Sequence, residues 1–200
     1  DWVRGLKYFW FRETAIDGIP VVVARSGWSK QGGFEIYLKD DARGTQLWNI
    51  VKEAGKPWGI GPGNPSWSER VESGLISYGG DTDRETNPFE VRMGKYIDLD
   101  VADDVIGIKA LRRIHAAGPR RHLLGIILEG KDPITFGFTW NDIRRDGAKV
   151  GDMTTCAWSY RMKKNIGFAL ISTRCKTGDA IEVARQDKVI RGTLTELPFL

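Results

Sequence analysis

Glu35 is the residue best placed to do chemistry. It follows a glycine-rich turn, Gly32-Gly33, and stands second in the run Phe34-Glu35-Ile36-Tyr37. In an extended strand, alternate side chains share a face. Phe34 and Ile36 therefore take one side, and Glu35 and Tyr37 take the other. Trp28 lies in the connection just before. A carboxylate beside aromatic rings suits a flat heterocycle that offers two adjacent N–H donors, because paired hydrogen bonds to one carboxylate fix both energy and orientation. The edge of a pterin is of this kind. On composition alone, a surface glutamate on an edge strand after a hairpin is the favoured reading.

The elements around Glu35 follow from pattern. Leu6 to Arg12 reads as an aromatic strand, Ile19 to Ala24 as a β-branched strand and Phe34 to Leu38 as a third. Thr45 to Ala54 carries Leu47, Trp48, Ile50 and Val51 at helical spacing, with Gly55 as its stop. Asn64-Pro65 opens a helix through Val71, and Ile106 to Ala116 forms another. After Gly118-Pro119 the pattern becomes short strands: Leu123–Leu128, Phe136–Trp140, Met153–Trp158, Ile166–Ile171, Ala180–Ala184 and Val189–Leu194. Such spacing predicts a small barrel or sandwich. The expected fold is α+β, with an incomplete mixed antiparallel-sheet domain over 1–118 and a C-terminal β-barrel over 119–200.

Bulk properties narrow the function. The chain has 200 residues, 41% of them hydrophobic, enough for a packed core. Its 30 basic and 26 acidic residues leave a net charge of +4, spread along the chain. No concentrated basic face is visible, so no nucleic acid is expected as a partner. Cys156 and Cys175 form no CxxC pair, and only two histidines are present. No metal site is expected from that inventory, and a reduced, cytoplasmic protein is the simplest reading. No membrane span is expected. A homo-oligomer is left open. The chain opens at Asp1 and runs straight into the aromatic stretch Trp2 to Phe11, so the start of the natural protein is expected to lie further upstream.

Other segments carry less. Gly59-Ile60-Gly61-Pro62-Gly63 lacks the glycine spacing of a phosphate loop, and Pro62 removes a needed N–H, so a plain loop is expected. Arg70 and Glu72 are expected to form a structural ion pair. Arg120, Arg121 and Lys95 are expected on a solvated face, with a folate glutamate tail as their functional alternative.

Ala24 to Tyr37 resembles the "ARTGYTGEDGFEI" motif of the aminomethyltransferase family, typified by the T protein of glycine cleavage. Further matches follow in order. Arg70 to Leu75 with Tyr78-Gly79 is similar to "RLEAGLxLYG", and Asn87 to Glu90 to "TPLEA". Ile106 to Leu111 is similar to "FIGKEAL", Leu124-Gly125-Ile126 to "LVGL", Val150 to Thr155 to "VGEVTSG", and Leu197-Pro198-Phe199 to "LPF". The resemblance covers nearly the whole chain. It implies a tetrahydrofolate cofactor with Glu35 on the pterin and with Tyr37 and Trp28 lining the pocket. The catalytic residue is expected in the N-terminal half of the family pattern, which this sequence lacks.

Departures point to a branch. Ser66 and Trp67 stand where the T protein has an Arg and an Asp, and that Arg binds substrate in the T protein. Trp28 replaces a Tyr. The runs around residues 24–40, 72–79 and 87–90 look closest to the dimethylsulfoniopropionate-dependent demethylase branch. That resemblance implies a small-molecule methyl donor, with Trp2 and Trp28 facing its sulfonium; for Trp2, a frayed terminal aromatic is the other reading. The implied reaction yields 3-methylthiopropionate and 5-methyltetrahydrofolate. Glycine-cleavage aminomethyl transfer with a lipoyl carrier protein is the alternative. A non-catalytic folate-binding module assisting iron–sulfur cluster maturation would show "KGCYxGQE", but residues 27–32 carry no Cys. The folate domain of a flavin-linked dehydrogenase is the fourth reading.

Overall fold

The computed structural model describes residues 2–29, 31–64, 66–134, 140–185 and 188–200. The chain forms two compact units, residues 1–66 and 67–200.

In the first unit a short helix α1 (Trp2–Gly5) precedes a three-stranded antiparallel sheet. Its strands are β1 (Phe11–Ile16), β2 (Ile19–Ala24) and β3 (Glu35–Leu38), in spatial order β1-β2-β3. The expected strand over residues 6–12 is displaced. Trp10 N–H closes a turn onto Lys7 C=O at 3.0 Å, and Phe9 takes φ +65°. Extended structure therefore starts only at Phe11. Asp17 and Gly18, at φ +47° and +71°, make the tight turn that sets Ile16 opposite Ile19. Positive φ at both central residues is what a type I′ hairpin requires. Ile19, Val21 and Val23 point to one face of β2 and are buried with Leu47 of α2 (Gly44–Gly55); Trp2, Leu38, Ile50 and Val51 pack around them. Each full burial of a side chain of this size contributes about 1.5–3 kcal/mol.

The second unit holds α3 (Trp67–Glu72), α4 (Ile108–Ala117) and six strands that close into a barrel. These are β4 (Arg121–Leu128), β5 (Asn141–Arg145), β6 (Ala148–Ser159), β7 (Lys164–Ser172), β8 (Ala180–Arg185) and β9 (Lys188–Thr195), closing in the order β4-β7-β6-β5-β8-β9. Leu124, Ile126, Leu128, Ile143, Ala169 and Ile171 belong to one core cluster. The alternate residues of β4 and β7, Leu123, Ile166, Phe168 and Leu170, belong to a second with Val71, Val91 and Leu197. β7 is thus buried on both faces, which is why its sequence is a continuous apolar run. Gly167 sits where a Cβ would meet the Thr155 carbonyl oxygen at 2.3 Å.

The α+β class and the C-terminal barrel are as expected. Within them, α3 begins at Trp67; Pro65 and residues 136–139, to which a helix start and a strand were assigned, lie outside the described residues. β5 is a strand that the sequence reading missed.

Candidate functional site

The outer face of the sheet is built by register. Residues directly opposite in an antiparallel pair point to the same face. Phe11 pairs with Ala24, and Ala24 pairs with Glu35. The next row is Glu13, Val22 and Tyr37. Both rows lie opposite the buried Ile19, Val21 and Val23. Phe11 and Glu35 stand two strand spacings apart, about 10 Å, with only the methyl group of Ala24 between them. The result is a shallow trough with an aromatic wall on one side and a carboxylate on the other. Phe11 is 67% exposed and Tyr37 54% exposed.

Two hydroxyls converge on that carboxylate. Tyr37 donates to Glu35 Oε2 at 3.1 Å from two residues along the same strand. Ser26 donates to the same oxygen from the end of β2. Ser26 is on this face because it lies two residues beyond Ala24. Its backbone is held by its neighbour. Arg25 N–H donates to Trp10 C=O at 2.9 Å, Phe9 N–H to Arg25 C=O at 2.9 Å, and the Arg25 guanidinium to Leu6 C=O at 2.7 Å. No donor among the described residues occupies Glu35 Oε1.

The structure thus joins Glu35 to Tyr37 and adds Ser26. Trp28 lies two residues past Ser26 in the β2–β3 connection and is 38% exposed. Trp2 is elsewhere. It packs against the core on the opposite face of the sheet, and the Arg12 guanidinium lies 4.8 Å from its ring centroid.

Other motif segments prove architectural. Arg70 donates to Asp81 Oδ2 at 2.6 Å, and both side chains are fully buried. Arg70 also donates to Leu75 C=O at 2.7 Å and Thr155 Oγ1 at 3.1 Å, and its guanidinium carbon lies 4.2 Å from the Trp67 ring centroid. The ion pair expected with Glu72 gives way to this one, because residues two apart on a helix do not face each other. Glu72 instead accepts from Ser159 at 2.6 Å and lies 3.5 Å from Arg161. Asn87 and Glu90 cap one turn reciprocally: Asn87 Oδ1 accepts Glu90 N–H at 3.3 Å, and Glu90 Oε2 accepts Asn87 N–H at 3.2 Å. Arg121 then grips Glu90 through two hydrogen bonds of 2.9 and 3.0 Å, which hold its guanidinium pKa above the ordinary value. Arg121 is therefore paired with Glu90 while its side chain stays 30% exposed.

Among the described residues no cluster of three or more His, Cys, Asp or Glu could hold a metal ion, and no helix is long and apolar enough to cross a membrane.

Comparison with known proteins gives the family. The model of the GCVT N-terminal domain matches residues 3–101, and that of the glycine cleavage T-protein C-terminal barrel domain matches residues 121–200. The chain belongs to the glycine cleavage T-protein family. It is 35% identical over 195 residues to the dimethylsulfoniopropionate demethylase of Ruegeria pomeroyi, covering 97% of this chain and 52% of the relative. It is 31% identical over 198 residues to an aminomethyltransferase of Caldanaerobacter subterraneus, again covering 97% and 52%. The crystal structure of the glycine cleavage system aminomethyltransferase T from Bartonella henselae matches with a TM-score of 0.79 at 20% identity, over 98% of this chain and 54% of that one. This last likeness shows the fold. The chain spans about half the length of the curated relatives it matches.

Proposed function

We propose that the outer face of the sheet binds tetrahydrofolate, with Glu35 anchoring the pterin ring, and that the bound folate accepts a methyl group from dimethylsulfoniopropionate. The observation that carries this reading is the Glu35 carboxylate itself. One oxygen is held by Ser26 and Tyr37, no donor among the described residues occupies the other, and Ala24 pairs with Glu35 on the same face. The pterin edge offers adjacent N–H donors to such a group, and aromatic surfaces at Tyr37, Trp28 and Phe11 suit its flat ring.

In this reading the N5 lone pair attacks a methyl carbon of the sulfonium. The C–S bond breaks and its electron pair stays on sulfur as a neutral thioether, 3-methylthiopropionate. N5 then sheds its proton to leave 5-methyltetrahydrofolate. The methyl group is already activated, so the protein mainly has to hold two reactants in line. Trp28 is the proposed face for the sulfonium, worth up to about 2 kcal/mol when desolvated. For Trp2 the same role requires a cation to share or displace the Arg12 contact.

Aminomethyl transfer in glycine cleavage is the second reading, favoured by the similarity to aminomethyltransferases. Both readings share the folate site and differ in donor. We also propose that the boundary between the two sequence domains falls near Gly118, which lies between the matched spans 3–101 and 121–200. Calorimetric titration of tetrahydrofolate, followed by a methyl-transfer assay with dimethylsulfoniopropionate, tests the main proposal. No tetrahydrofolate binding removes the folate site. Binding without methyl transfer, together with turnover of an aminomethyl-lipoyl donor, selects the second reading.

A further inference from the structure

We infer that Ser26 is a positioning residue that aims the Glu35 carboxylate; this rests on Glu35 being the folate anchor. Glu35 opens β3 and is exposed, so its side chain would otherwise sample several rotamers. Tyr37 alone cannot fix it relative to the trough, because Tyr37 rides on the same strand. Ser26 comes from the end of β2. It ties Oε2 to the strand that supplies the trough floor, Ala24. Ser26 is in turn anchored through Arg25, whose main chain continues the β1–β2 pairing onto Trp10 and Phe9 and whose guanidinium reaches Leu6. With Ser26 and Tyr37 both on Oε2, that oxygen's two acceptor sites are filled, and no donor among the described residues occupies Oε1. A ligand then meets a carboxylate already oriented, and less ordering remains to be done on binding.

The test is a double-mutant cycle in tetrahydrofolate affinity, measured by calorimetry on Ser26→Ala, Glu35→Ala and the pair, with Ser26→Thr as the hydroxyl-retaining control. Ser26→Ala should weaken binding about 3- to 10-fold, the scale of one net hydrogen bond, and Ser26→Thr should stay near wild type. In the Glu35→Ala background the Ser26→Ala change should have no further effect. Thermal melts should show all variants folded. If Glu35→Ala weakens binding while Ser26→Ala does not, or if the Ser26→Ala loss persists undiminished without Glu35, the positioning role is wrong and the Glu35 anchor stands. If Glu35→Ala leaves affinity unchanged, the anchor itself is wrong and the role of Ser26 falls with it.

Discussion

Arg70 and Asp81 meet at 2.6 Å with neither side chain open to solvent. Asp81 is also held by Ser77 N–H at 2.8 Å and by the Thr154 hydroxyl at 3.0 Å. A bulge in β6 makes this possible. Met153 pairs with Ala169 and Thr155 with Phe168, so Thr154 is an extra residue on its strand. The bulge breaks the alternation and lets two consecutive threonines serve one ion pair: Thr154 reaches Asp81, and Thr155 accepts from Arg70.

Asp81→Ala strands a buried guanidinium. Breaking a buried pair from one side costs about 3–5 kcal/mol. The urea midpoint should fall accordingly, with the slope of the transition unchanged. Asp81→Asn, which keeps an acceptor, should cost less. A midpoint within error of wild type for Asp81→Ala would show that the pair does not hold the second unit together.

The trough between Phe11 and Glu35 depends on a small residue at position 24. Ala24→Leu should fill it while leaving the sheet folded, because this side chain faces away from the core. Forcing added methylenes into a fitted site costs about 1–3 kcal/mol, so tetrahydrofolate affinity should drop about tenfold or more. Far-ultraviolet circular dichroism should be unchanged. Normal affinity in Ala24→Leu would place the ligand elsewhere.

Burial pushes the Cys156 thiol up from 9.0 to about 12, against a smaller opposing pull from Arg185. The native protein therefore favours the neutral thiol, whereas the unfolded chain ionises near the ordinary value. The contribution to stability is full below pH 9 and is lost as pH rises from about 9 towards 12. Ellman's reagent at pH 8 should leave Cys156 unmodified until urea unfolds the chain. Above pH 9, wild-type stability should fall more steeply than that of Cys156→Ala. Rapid native-state labelling of Cys156 would contradict this.

Parts of this molecule were legible in the sequence, for identifiable reasons. Leu123–Leu128 and Ile166–Ile171 are apolar runs long enough to declare buried strands, and strict alternation put Glu35 with Tyr37. β5 was missed because Asn-Asp-Ile-Arg-Arg offers a single apolar residue, Ile143, which is nevertheless fully buried. The signal that could have found it is the turn dipeptide Asp146-Gly147, at φ +49° and +78°, leading into β6; Asp17-Gly18 carries the same signal for β1 and β2. Ser26 was not readable as a partner of Glu35. Its placement depends on Ala24 facing Glu35 across a ten-residue connection whose length fixes no register. Asp81 stayed hidden for a similar reason, since the Thr154 bulge has no sequence signature.

In the proposed reading, Ser66 separates the two donors chemically. The resemblance sets it where the T protein carries a substrate-binding Arg. A sulfonium needs aromatic surface and no neighbouring cation, and like charges about 4 Å apart cost on the order of 4 kcal/mol at an effective dielectric near 20. Ser66→Arg should therefore depress turnover of dimethylsulfoniopropionate in the active enzyme by at least about tenfold, even if screening leaves only a third of that energy. Trp28→Ala should depress it too, through lost cation–π attraction and packing surface. Ser66→Arg leaves Glu35 and the trough untouched, so tetrahydrofolate affinity should hold there, whereas Trp28→Ala should also weaken tetrahydrofolate binding, because Trp28 is a proposed wall of the pterin site. Steady-state kinetics with dimethylsulfoniopropionate, beside a tetrahydrofolate titration of each variant, read both effects. If Ser66→Arg leaves turnover unchanged, residue 66 is not near the sulfonium, and the electrostatic case against the aminomethyl donor is lost. If Ser66→Arg instead confers turnover of an aminomethyl-lipoyl donor that the wild type ignores, this one position sets the choice of donor on a shared folate site.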